Sequence, residues 1–394
     1  MKIAVLVNEL NIRGGTHKQV LRLCEYLESQ RIEFKIFTKY YDPLKTYPDF
    51  RKYNPVSLYS ESDDYTKKHS LLKKIQSNIR FFSMIYKDFD IVNAHDYGLY
   101  WPLFLTSMKK SIITVWQIND LPGCFKVGVN KKTETTIKDK LNRKKYRYLA
   151  KKIDAITVNV TKNKERVEMC MGKKATVLYC GVDVNANLRK HTYIPSIKNE
   201  IRLLSTGVFF PYRNYETLVL VIKQLRNEGY NAWLDIIGST ELSKDYANSV
   251  INLIIDKNLK KYIKIWGQVD ESTYNMLYNR ANIFAFINID QSWGLTVFEA
   301  MSAGIPTIVS NSVGAIELLH DGEDSIIVEP KNVSAISDTI KRLVSDGEYY
   351  NKISNNAYEI VKEFSWDKLY SSKLVEIFEK LVNYEKQSNH KVIQ

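Results

Sequence analysis

Short apolar segments of strand length alternate with segments of helical period along the chain, and this alternation limits the possible folds more than any other feature. Ile3–Val7 is continuously apolar, as in a strand buried on both faces. A glycine pair follows, and apolar residues then recur at helical spacing from Val20 to Leu27, with Thr16 placed to cap the helix. Strands that alternate with helices predict an α/β fold, in which helices cover both faces of a parallel sheet.

The alternation falls into two series, separated by a polar stretch at residues 185–200. The predicted strands of the first series are Ile3–Val7, Phe34–Phe37, Asp90–Val92, Ile112–Val115, Ala155–Val158 and Thr176–Leu178. Those of the second are Ile201–Ser205, Trp233–Ile237, Ile263–Trp266, Ile283–Ile287, Thr307–Ser310 and Ser325–Val328. A chain of 394 residues is long enough for two cores. We therefore expect Rossmann-like domains at residues 1–190 and 191–365, and a final helix, 366–394, that packs back toward the first domain.

Composition excludes several classes of protein. Hydrophobic residues make up 44% of the chain, with only 16 Gly and 9 Pro, which is too apolar for a disordered protein. The cysteines Cys24, Cys124, Cys170 and Cys180 are too scattered for a zinc site or a disulfide framework. The first apolar run is too short for a secretory signal, and no run reaches the roughly 18 residues of a membrane span. We expect a globular protein in the reducing cytoplasm.

Residues 281–316 contain only two charged side chains, Asp290 and Glu299. Glu299 lies in an otherwise uncharged helical segment, and a buried carboxylate without a partner is costly. Two interpretations stay open. The partner is a Lys or Arg of the core, or Glu299 faces the edge of the sheet where α/β proteins bind ligands and accepts hydrogen bonds from a ribose. The helix begins at a glycine, where free backbone N–H groups can hold a phosphate.

Residues 291–306, QSWGLTVFEAMSAGIP, resemble the signature of glycosyltransferase family 4, whose members are retaining sugar-nucleotide transferases with the GT-B fold. The resemblance extends in the same order over essentially the whole chain. Its further elements are Gly14-Gly15, Tyr179–Asp183, Ser205–Gly207, Tyr212–Asn214 and Gly314–Glu317. It implies two facing Rossmann-like domains with a cleft between them.

The resemblance assigns most of the nucleotide sugar to the second domain. Glu299 would hold the ribose, and the helix start would meet the diphosphate. Arg213 stands at the position of a family lysine and would stabilise the leaving diphosphate, although by itself it is also compatible with a surface arginine near a turn. The implied donor-binding residues are Gly14, Gly15, Gly207, Arg213, Val269, Asp290, Gln291, Gly294, Leu295, Thr296 and Glu299.

Gly14-Gly15 would let the first domain's backbone approach the donor, but read alone it is a tight turn. Val269 follows Gly267 in a loop that resembles the family's base-reading loop. His95 follows a predicted strand and would line the acceptor side, or it is a structural histidine. His17, next to the glycine pair, is a further candidate for the acceptor.

Three positions depart from the family pattern. Val208 stands where the family has an arginine, Gln291 where it has the first glutamate of its motif, and Asn119 where histidine is usual. Asp290, beside Gln291, could restore the lost charge, whereas Asn119 cannot be a general base. The candidate catalytic residues are therefore Arg213, Gln291, Asn119 and His95. The departures place the identity of the donor sugar in doubt.

Positive charge is concentrated in two stretches of the first domain. The formal net charge is +13; residues 126–152 contain 11 Lys or Arg and two acidic residues, and residues 67–87 contain six and none. The second stretch has helical period and presents Lys73, Lys74 and Arg80, which suits an anionic membrane surface. An ordinary helix with a solvated basic face is the alternative. No nucleic-acid-binding motif accompanies the charge, so we do not expect a nucleic-acid partner.

The resemblance implies a retaining, metal-independent glycosyltransferase (EC 2.4) that needs no cofactor. It would move a sugar from a nucleoside-diphosphate sugar, such as a UDP-sugar, to a glycan or lipid-linked acceptor in cell-surface polysaccharide or glycolipid synthesis. We expect it in the cytoplasm, in peripheral contact with the inner face of the plasma membrane. The alternative is a catalytically degenerate relative that binds nucleotide sugar or partners a transferase, because of Gln291, Asn119 and Val208.

Overall fold

The computed structural model describes residues 1–59, 71–85, 89–109, 111–125, 136–183, 200–290 and 293–392. The chain forms two compact units. Unit 1 comprises Met1–Gly181 and Trp366–Gln394, and unit 2 comprises Val182–Ser365. The sequence-based boundaries were placed between residues 190 and 191 and between 365 and 366.

Unit 1 contains a parallel sheet whose seven strands lie in the order β3-β2-β1-β4-β5-β6-β7. Its elements are β1 (Lys2–Leu10), α1 (Gly15–Ser29), β2 (Glu33–Tyr41), β3 (Val56–Ser57), α2 (Leu71–Ile85), β4 (Ile91–His95), α3 (Tyr100–Ser107), β5 (Ile113–Ile118), α4 (Ile137–Lys152), β6 (Ala155–Val158), α5 (Thr161–Met171), β7 (Ala175–Val177) and α12 (Ser372–Val392).

Strand order and handedness decide which helices share a face of this sheet. The crossovers through α2, α3, α4 and α5 all lead toward β7, whereas the crossover through α1 leads the other way. Because such crossovers are right-handed, α2 to α5 cover one face and α1 covers the other. The contacts agree: α2 packs against α3, α3 against α4 and α4 against α5, while α1 packs against residues 367–371.

Unit 2 contains a six-stranded parallel sheet in the order β10-β9-β8-β11-β12-β13. Its elements are β8 (Glu200–Thr206), α6 (Tyr215–Asn227), β9 (Asn231–Ile237), α7 (Lys244–Asp256), β10 (Ile263–Gly267), α8 (Glu271–Arg280), β11 (Ile283–Phe286), α9 (Leu295–Ser302), β12 (Thr307–Ser310), β13 (Ile326–Val328), α10 (Val333–Ser345) and α11 (Gly347–Val361).

The central strands are buried on both faces, as their continuous apolar runs predict. All six residues of β5 and all four of β11 and β12 are buried. The main core of unit 2 packs α6, α7 and α10 on the apolar residues of β8 and β9, with Leu218, Val221 and Ile222 fully buried. Every predicted strand is present, and the α/β prediction is confirmed.

Two local predictions differ from the structure. The two-residue strand β3 was not predicted, because so short an element has no period to detect. Thr16 does not cap α1: the helix begins at Gly15 with Gly14 as its N-cap residue, and no side chain caps it. The Thr16 hydroxyl instead accepts a hydrogen bond from the Asn119 side chain at 3.1 Å.

Candidate functional site

Three glycines bring the ends of β8, β9 and β10 together in unit 2. The Gly207 N–H donates to the Ile237 carbonyl at 2.8 Å, and the Gly238 N–H donates to the Gly267 carbonyl at 2.9 Å. A side chain at Gly238 would collide with the Gly207 carbonyl oxygen. The backbones approach this closely only because glycine occupies the position. The carboxyl ends of the three strands therefore approach one another closely around Gly207.

Arg213 lies directly over these strand ends. It ends a single turn of 3₁₀-helix, Pro211–Arg213, and its guanidinium packs so closely on Gly207 that any side chain at residue 207 would overlap it. The guanidinium carbon is 5.2 Å from the centre of the Tyr212 ring and 5.7 Å from that of Phe286. Two aromatic rings and a glycine therefore hold the arginine at the carboxyl ends of β8 and β11.

Asn214 fixes the turn that carries Arg213. Its backbone is left-handed, with φ of 56°, and its side-chain amide donates to the carbonyls of Ile287 (3.1 Å) and Pro330 (2.6 Å). The Ile289 N–H donates to the Tyr212 carbonyl at 2.7 Å. These bonds tie the loop after β8 to the loop after β11. The position of Arg213 is therefore set by backbone carbonyls and not by a flexible surface loop.

The N-terminus of α9 also approaches the Phe286 ring. Gly294 is the N-cap residue, and a Cβ there would come within 2.9 Å of Phe286 Cε1. The first turn of α9 contains no acidic residue, and the Thr296 hydroxyl is buried without a hydrogen-bond partner among the described residues. Free N–H groups, the positive end of the helix and Arg213 thus approach a common ring, an arrangement suited to an anion.

Glu299, one turn further along α9, accepts a hydrogen bond from the Tyr274 hydroxyl at 2.6 Å. Tyr274 stacks on Tyr278, with ring centres 4.4 Å apart. Burial and the neighbouring carboxylate raise the pKa of Tyr274 well above its usual value, so the phenol stays a proton donor. The expected partner of the carboxylate is thus present, and it is a tyrosine hydroxyl of α8. Glu299 is only partly buried.

Val269 lies in the loop that leads from β10 into α8. Gly267 has φ of 67°, and the Asp270 carboxylate caps α8 by accepting the Thr273 N–H at 2.8 Å. Val269 itself is half-buried. Because α8 also carries Tyr274, this single helix connects the loop of Val269 to Glu299. Sequence reasoning missed Tyr274, although its position four residues after the capping Asp270 was a usable signal.

The loop between β11 and α9 contains both remaining candidates of unit 2. Asp290 has a left-handed backbone, φ 52°, and its N–H donates to the Ser312 hydroxyl at 3.3 Å. The Ser312 hydroxyl donates in turn to the Asn288 carbonyl at 3.0 Å. Gln291 lies outside the described residues. Leu295, the first residue of α9, is half-buried beside Gly294.

In unit 1, the glycine pair starts α1 next to a buried histidine. Gly15 is the first helical residue and is exposed, and a Cβ on Gly14 would lie 3.1 Å from His17 Nδ1. The Nε2 of His17 is 2.7 Å from the Glu9 carbonyl, which makes Nε2 the protonated nitrogen. Nδ1 is buried without a hydrogen-bond partner among the described residues. Burial lowers the pKa of His17, which favours the neutral ring.

His95, at the end of β4, is fully buried. Its Nε2 lies 2.8 Å from Asn93 Oδ1, and burial together with the charge of His17 lowers its pKa to about 3. The ring is therefore neutral at physiological pH and cannot act as a cationic contact. Its second nitrogen is also buried without a partner in the described part of the chain. His17 thus acts electrostatically on His95, and each ring has one nitrogen without a hydrogen-bond partner among the described residues.

Asn119 is a positioning residue in the structure. Its Oδ1 accepts from Gln117 at 2.9 Å, and its amide donates to Gln19 at 2.8 Å and to Thr16 at 3.1 Å. Both side-chain N–H groups are therefore used inside unit 1. The role of Asn119 as a candidate catalytic residue stays a prediction. It holds the first turn of α1 against the end of β5.

Asp96, directly after His95, was missed by sequence reasoning. Its backbone is left-handed, φ 69°, and its carboxylate accepts hydrogen bonds from the Thr16 hydroxyl and from the backbone N–H of Asn119. Burial, and then the charge of Asp120, raise its pKa to about 7. A carboxyl group that titrates near neutrality at the end of a parallel strand is typical of a functional position. Its place beside His95 was the available signal.

The basic segment of the first domain forms α2. Arg80 is exposed there, whereas the side chains of Lys73 and Lys74 lie outside the described part of the structure. Ile75 and Ile79 are exposed on the same helix, and Phe81 and Ile85 are buried. Among the described residues, no helix has the length and apolar character needed to cross a membrane.

Comparison with known families identifies the class of this chain. The family model described as Glycosyltransferase Family 4 matches residues 13–186, and the model described as Glycosyl transferases group 1 matches residues 189–360. Two parallel-sheet, Rossmann-like units are the architecture of the GT-B fold, as the sequence predicted. The chain belongs to glycosyltransferase family 4.

Individual relatives are similar over about half of their length. The capsular polysaccharide biosynthesis glycosyltransferase CapM of Staphylococcus aureus is 25% identical over 55% of this chain and 57% of its own. The O-antigen chain mannosyltransferase RfbU of Salmonella typhimurium is 25% identical over 51% of this chain and 54% of its own. The chain therefore spans about half the length of the curated relatives it matches.

Solved structures match nearly the whole chain. Sucrose-phosphate synthase from Thermosynechococcus elongatus has a TM-score of 0.78 at 16% identity, covering 98% of this chain and 100% of that one. Anabaena Alr3699/HepE, crystallised in complex with UDP and glucose, has a TM-score of 0.77 at 15% identity, covering 96% of this chain and 100% of that one. At these identities the likeness establishes the fold.

Proposed function

We propose that this protein is a retaining glycosyltransferase that uses a nucleoside-diphosphate sugar. The observation that carries the proposal is the arrangement around Phe286, where Arg213 and the N-terminus of α9 approach the same ring. A diphosphate matches both groups, because a guanidinium binds phosphate oxygens bidentately and a helix N-terminus offers free N–H groups. The Thr296 hydroxyl, buried without a partner among the described residues, supplies a further donor.

Glu299 and the loop of Val269 would complete the nucleotide site. A carboxylate accepts several hydrogen bonds at once, and Glu299 would accept those of a ribose diol beside that of the Tyr274 hydroxyl. Backbone groups beside Val269 would read the base. Gly207, Asp290 and Gln291 would be the remaining contributors of unit 2.

Catalysis in this proposal is electrostatic. As the sugar leaves, negative charge develops on the diphosphate, and groups fixed in advance stabilise it without reorganisation. Arg213 is fixed by Gly207, Tyr212 and Phe286. Val208 stands where the family has an arginine, so Arg213 is the principal cation that remains of the family pattern. We propose a metal-independent reaction without a cofactor, in which stabilisation of the negative charge on the diphosphate makes the main contribution to catalysis.

The acceptor would bind to unit 1, near the neutral histidines and Asp96. The neutral rings of His17 and His95 are buried beneath this region, and the partly exposed Asp96 would contact a sugar hydroxyl. The names of CapM and RfbU support a glycan or lipid-linked acceptor of the cell envelope. Contact of Lys73, Lys74 and Arg80 with the inner face of the plasma membrane remains part of the proposal.

The decisive experiment replaces Arg213. We expect Arg213→Ala to lower the release of nucleoside diphosphate from the best donor of a nucleotide-sugar panel by about 10²-fold or more, with Arg213→Lys intermediate. Arg226→Ala is the matched control, because Arg226 also lies on an aromatic ring, Tyr262, but before the start of β9. An unchanged rate in Arg213→Ala would remove this residue from the diphosphate site.

A catalytically degenerate nucleotide-sugar-binding subunit is the second candidate, favoured by the internal use of both Asn119 N–H groups. The two proposals differ in one measurement. Wild-type protein that binds a nucleoside diphosphate by calorimetry, but releases none from any nucleotide sugar in the presence of detergent-solubilised lipid-linked acceptors, would be a binding protein.

A further inference from the structure

Helix α4 exposes a row of large apolar side chains. Ile137, Leu141 and Tyr148 are 79%, 62% and 58% exposed. Their spacing of four and seven residues places them on one stripe of a helix with about 3.6 residues per turn. The buried residues of the helix, Tyr146 and Ala150 among them, lie on the opposite side. The helix is therefore anchored to the sheet by one apolar face and carries a second that faces outward.

The exposed apolar surface continues onto α3. The Tyr148 ring lies 5.7 Å from that of Phe104, and Phe104 lies 5.9 Å from Trp101, which is itself exposed. Ile75 and Ile79 on α2 extend the surface across the same side of the sheet. We call the exposed side of α2, α3 and α4 the outer helical face.

The opposite face of unit 1 has a different character. On α1, the large apolar side chains are buried, apart from the half-buried Tyr26. Among the described residues, the outer helical face therefore exposes more large apolar side chains than α1 does. Large exposed apolar patches are uncommon on soluble proteins and mark a surface that contacts another body.

The charge of α4 indicates what that body is. The helix contains eight Lys or Arg and one acidic residue, Asp139. Asp139 is buried in a capping box with Thr136, so its charge does not neutralise the exposed face. Lys140, Lys144 and Lys151 are exposed along one side of the apolar row, and Lys138 and Lys152 are exposed along the other.

Two of the other cations are held by the protein itself. Arg143 Nε donates to the Cys124 carbonyl at 2.6 Å, and Lys145 Nζ lies 4.7 Å from the centre of the Tyr100 ring. The exposed lysines are therefore the ones available to an external anion. Their position beside Ile137 and Leu141 combines positive charge and apolar contact on one surface.

From this combination we propose that α4, together with Trp101, docks on the surface of an anionic phospholipid bilayer. Ile137, Leu141 and Tyr148 enter the boundary between headgroups and acyl chains, and Lys140, Lys144 and Lys151 lie at the depth of the lipid phosphates. Tyrosine and tryptophan favour this interface because one end of the ring is apolar and the other polar. A nucleic acid would use the lysines but gives no role to exposed isoleucine and leucine. The inference is independent of the transfer reaction.

Sedimentation with sucrose-loaded vesicles tests the proposal with the full-length protein. We expect wild type to bind vesicles of phosphatidylcholine with phosphatidylglycerol, and to bind pure phosphatidylcholine more weakly. The variant Ile137→Ser/Leu141→Ser/Tyr148→Ser should partition about tenfold or more weakly into the anionic vesicles. The matched control is Leu44→Ser/Ile255→Ser/Tyr384→Ser, which removes the same three residue types at exposed positions elsewhere and should bind as wild type.

A second variant separates charge from apolar contact. Lys140→Gln/Lys144→Gln/Lys151→Gln should lose the preference for phosphatidylglycerol and the sensitivity of binding to salt. Unfolding temperatures confirm that each variant is folded, which is expected because the replaced side chains are exposed. Wild-type levels of vesicle binding in the apolar variant would overturn the proposal. A wild-type protein that ignores anionic vesicles would also overturn it and leave a protein partner as the occupant of this face.

Discussion

At the scale of single residues, the hydrogen bond between Tyr274 and Glu299 offers a graded test of the nucleotide site. We expect Glu299→Gln to weaken binding of the preferred nucleoside diphosphate by about tenfold or more, since bonds to a charged acceptor contribute about 1.5–3 kcal/mol. Tyr274→Phe keeps the ring and loses only the hydroxyl, so the loss should be smaller, about fivefold. Isothermal titration calorimetry measures both.

Glu271→Gln provides the control for this pair, because it removes an exposed carboxylate from the same helix as Tyr274. The affinity of Glu271→Gln for the nucleoside diphosphate should equal that of wild type. Undiminished affinity in Glu299→Gln would show that the carboxylate belongs to the packing of α8 and α9 and does not contact the ligand.

Asp96 predicts a pH dependence of stability. Its pKa is raised from 3.8 to about 7 in the folded protein, so the folded state holds this proton more tightly than the unfolded chain. The resulting stabilisation is complete below pH 3.8 and is lost as the pH rises through 7. Asp96→Asn cannot ionise, so its stability relative to wild type should increase by at least about 1 kcal/mol between pH 5 and pH 8.

Urea unfolding at the two pH values measures this difference. Asp256→Asn, at an exposed carboxylate, controls for the general effect of pH on the protein. Parallel behaviour of Asp96→Asn and wild type across this range would mean that the carboxyl group of Asp96 is ionised in the folded protein throughout.

The sequence identified residues of the site whose type is unusual for their surroundings. Glu299 was recognisable as an isolated carboxylate in an apolar stretch, and its need for a partner followed from the cost of burial. Tyr274 and Asp96 were not recognised, because their roles depend on neighbours brought together by the fold. Asn119 was recognised, but its side-chain partners Gln117, Gln19 and Thr16 were not.

At the scale of elements, Gly294 tests the packing of α9 against β11. A Cβ at Gly294 would approach Phe286 Cε1 to 2.9 Å, so Gly294→Ala must displace the helix start or the ring. We expect a loss of about 1–3 kcal/mol in the free energy of unfolding and a larger relative loss of nucleotide affinity, because the ring also supports Arg213.

Gly322→Ala separates this effect from a general penalty for replacing glycine. Gly322 has φ of 72° with open space around its Cα, so its replacement costs stability through the backbone alone. Its nucleotide affinity should equal that of wild type. Equal affinity in Gly294→Ala would argue against a diphosphate at the start of α9.

Elements were predictable to the extent that their apolar period is long enough to read. The twelve predicted strands are all present because parallel strands buried on both faces have continuous apolar sequences. The two residues of β3 have no such pattern. The cap of α1 was predicted wrongly. Thr16 is of a residue type that often caps helices, but its hydroxyl accepts a hydrogen bond from the Asn119 side chain.

At the scale of the whole molecule, the C-terminal segment supplies part of the core of unit 1. Phe378, on α12, is fully buried. We expect Phe378→Ala to lower the free energy of unfolding by about 3–5 kcal/mol, as for other buried phenylalanines. Tyr384→Ala, on the exposed side of the same helix, should change it by less than about 0.5 kcal/mol.

Urea unfolding followed by circular dichroism distinguishes the two variants. Equal stability of Phe378→Ala and Tyr384→Ala would mean that α12 contributes little to unit 1.

The sequence indicated two domains because each series of strands has its own helices. Side-chain contacts within each unit are long-range properties that no local pattern contains.

The path of the chain through the two units has a consequence for biosynthesis. Unit 1 is assembled from two separate stretches, and the whole of unit 2 is inserted between Gly181 and Trp366. The ribosome therefore completes unit 2 before it delivers the last part of unit 1. Until residues 366–394 emerge, the side of α1 that receives them remains uncovered. Residues 1–181 are thus synthesised before unit 2, although they belong to the unit that is the last to finish folding.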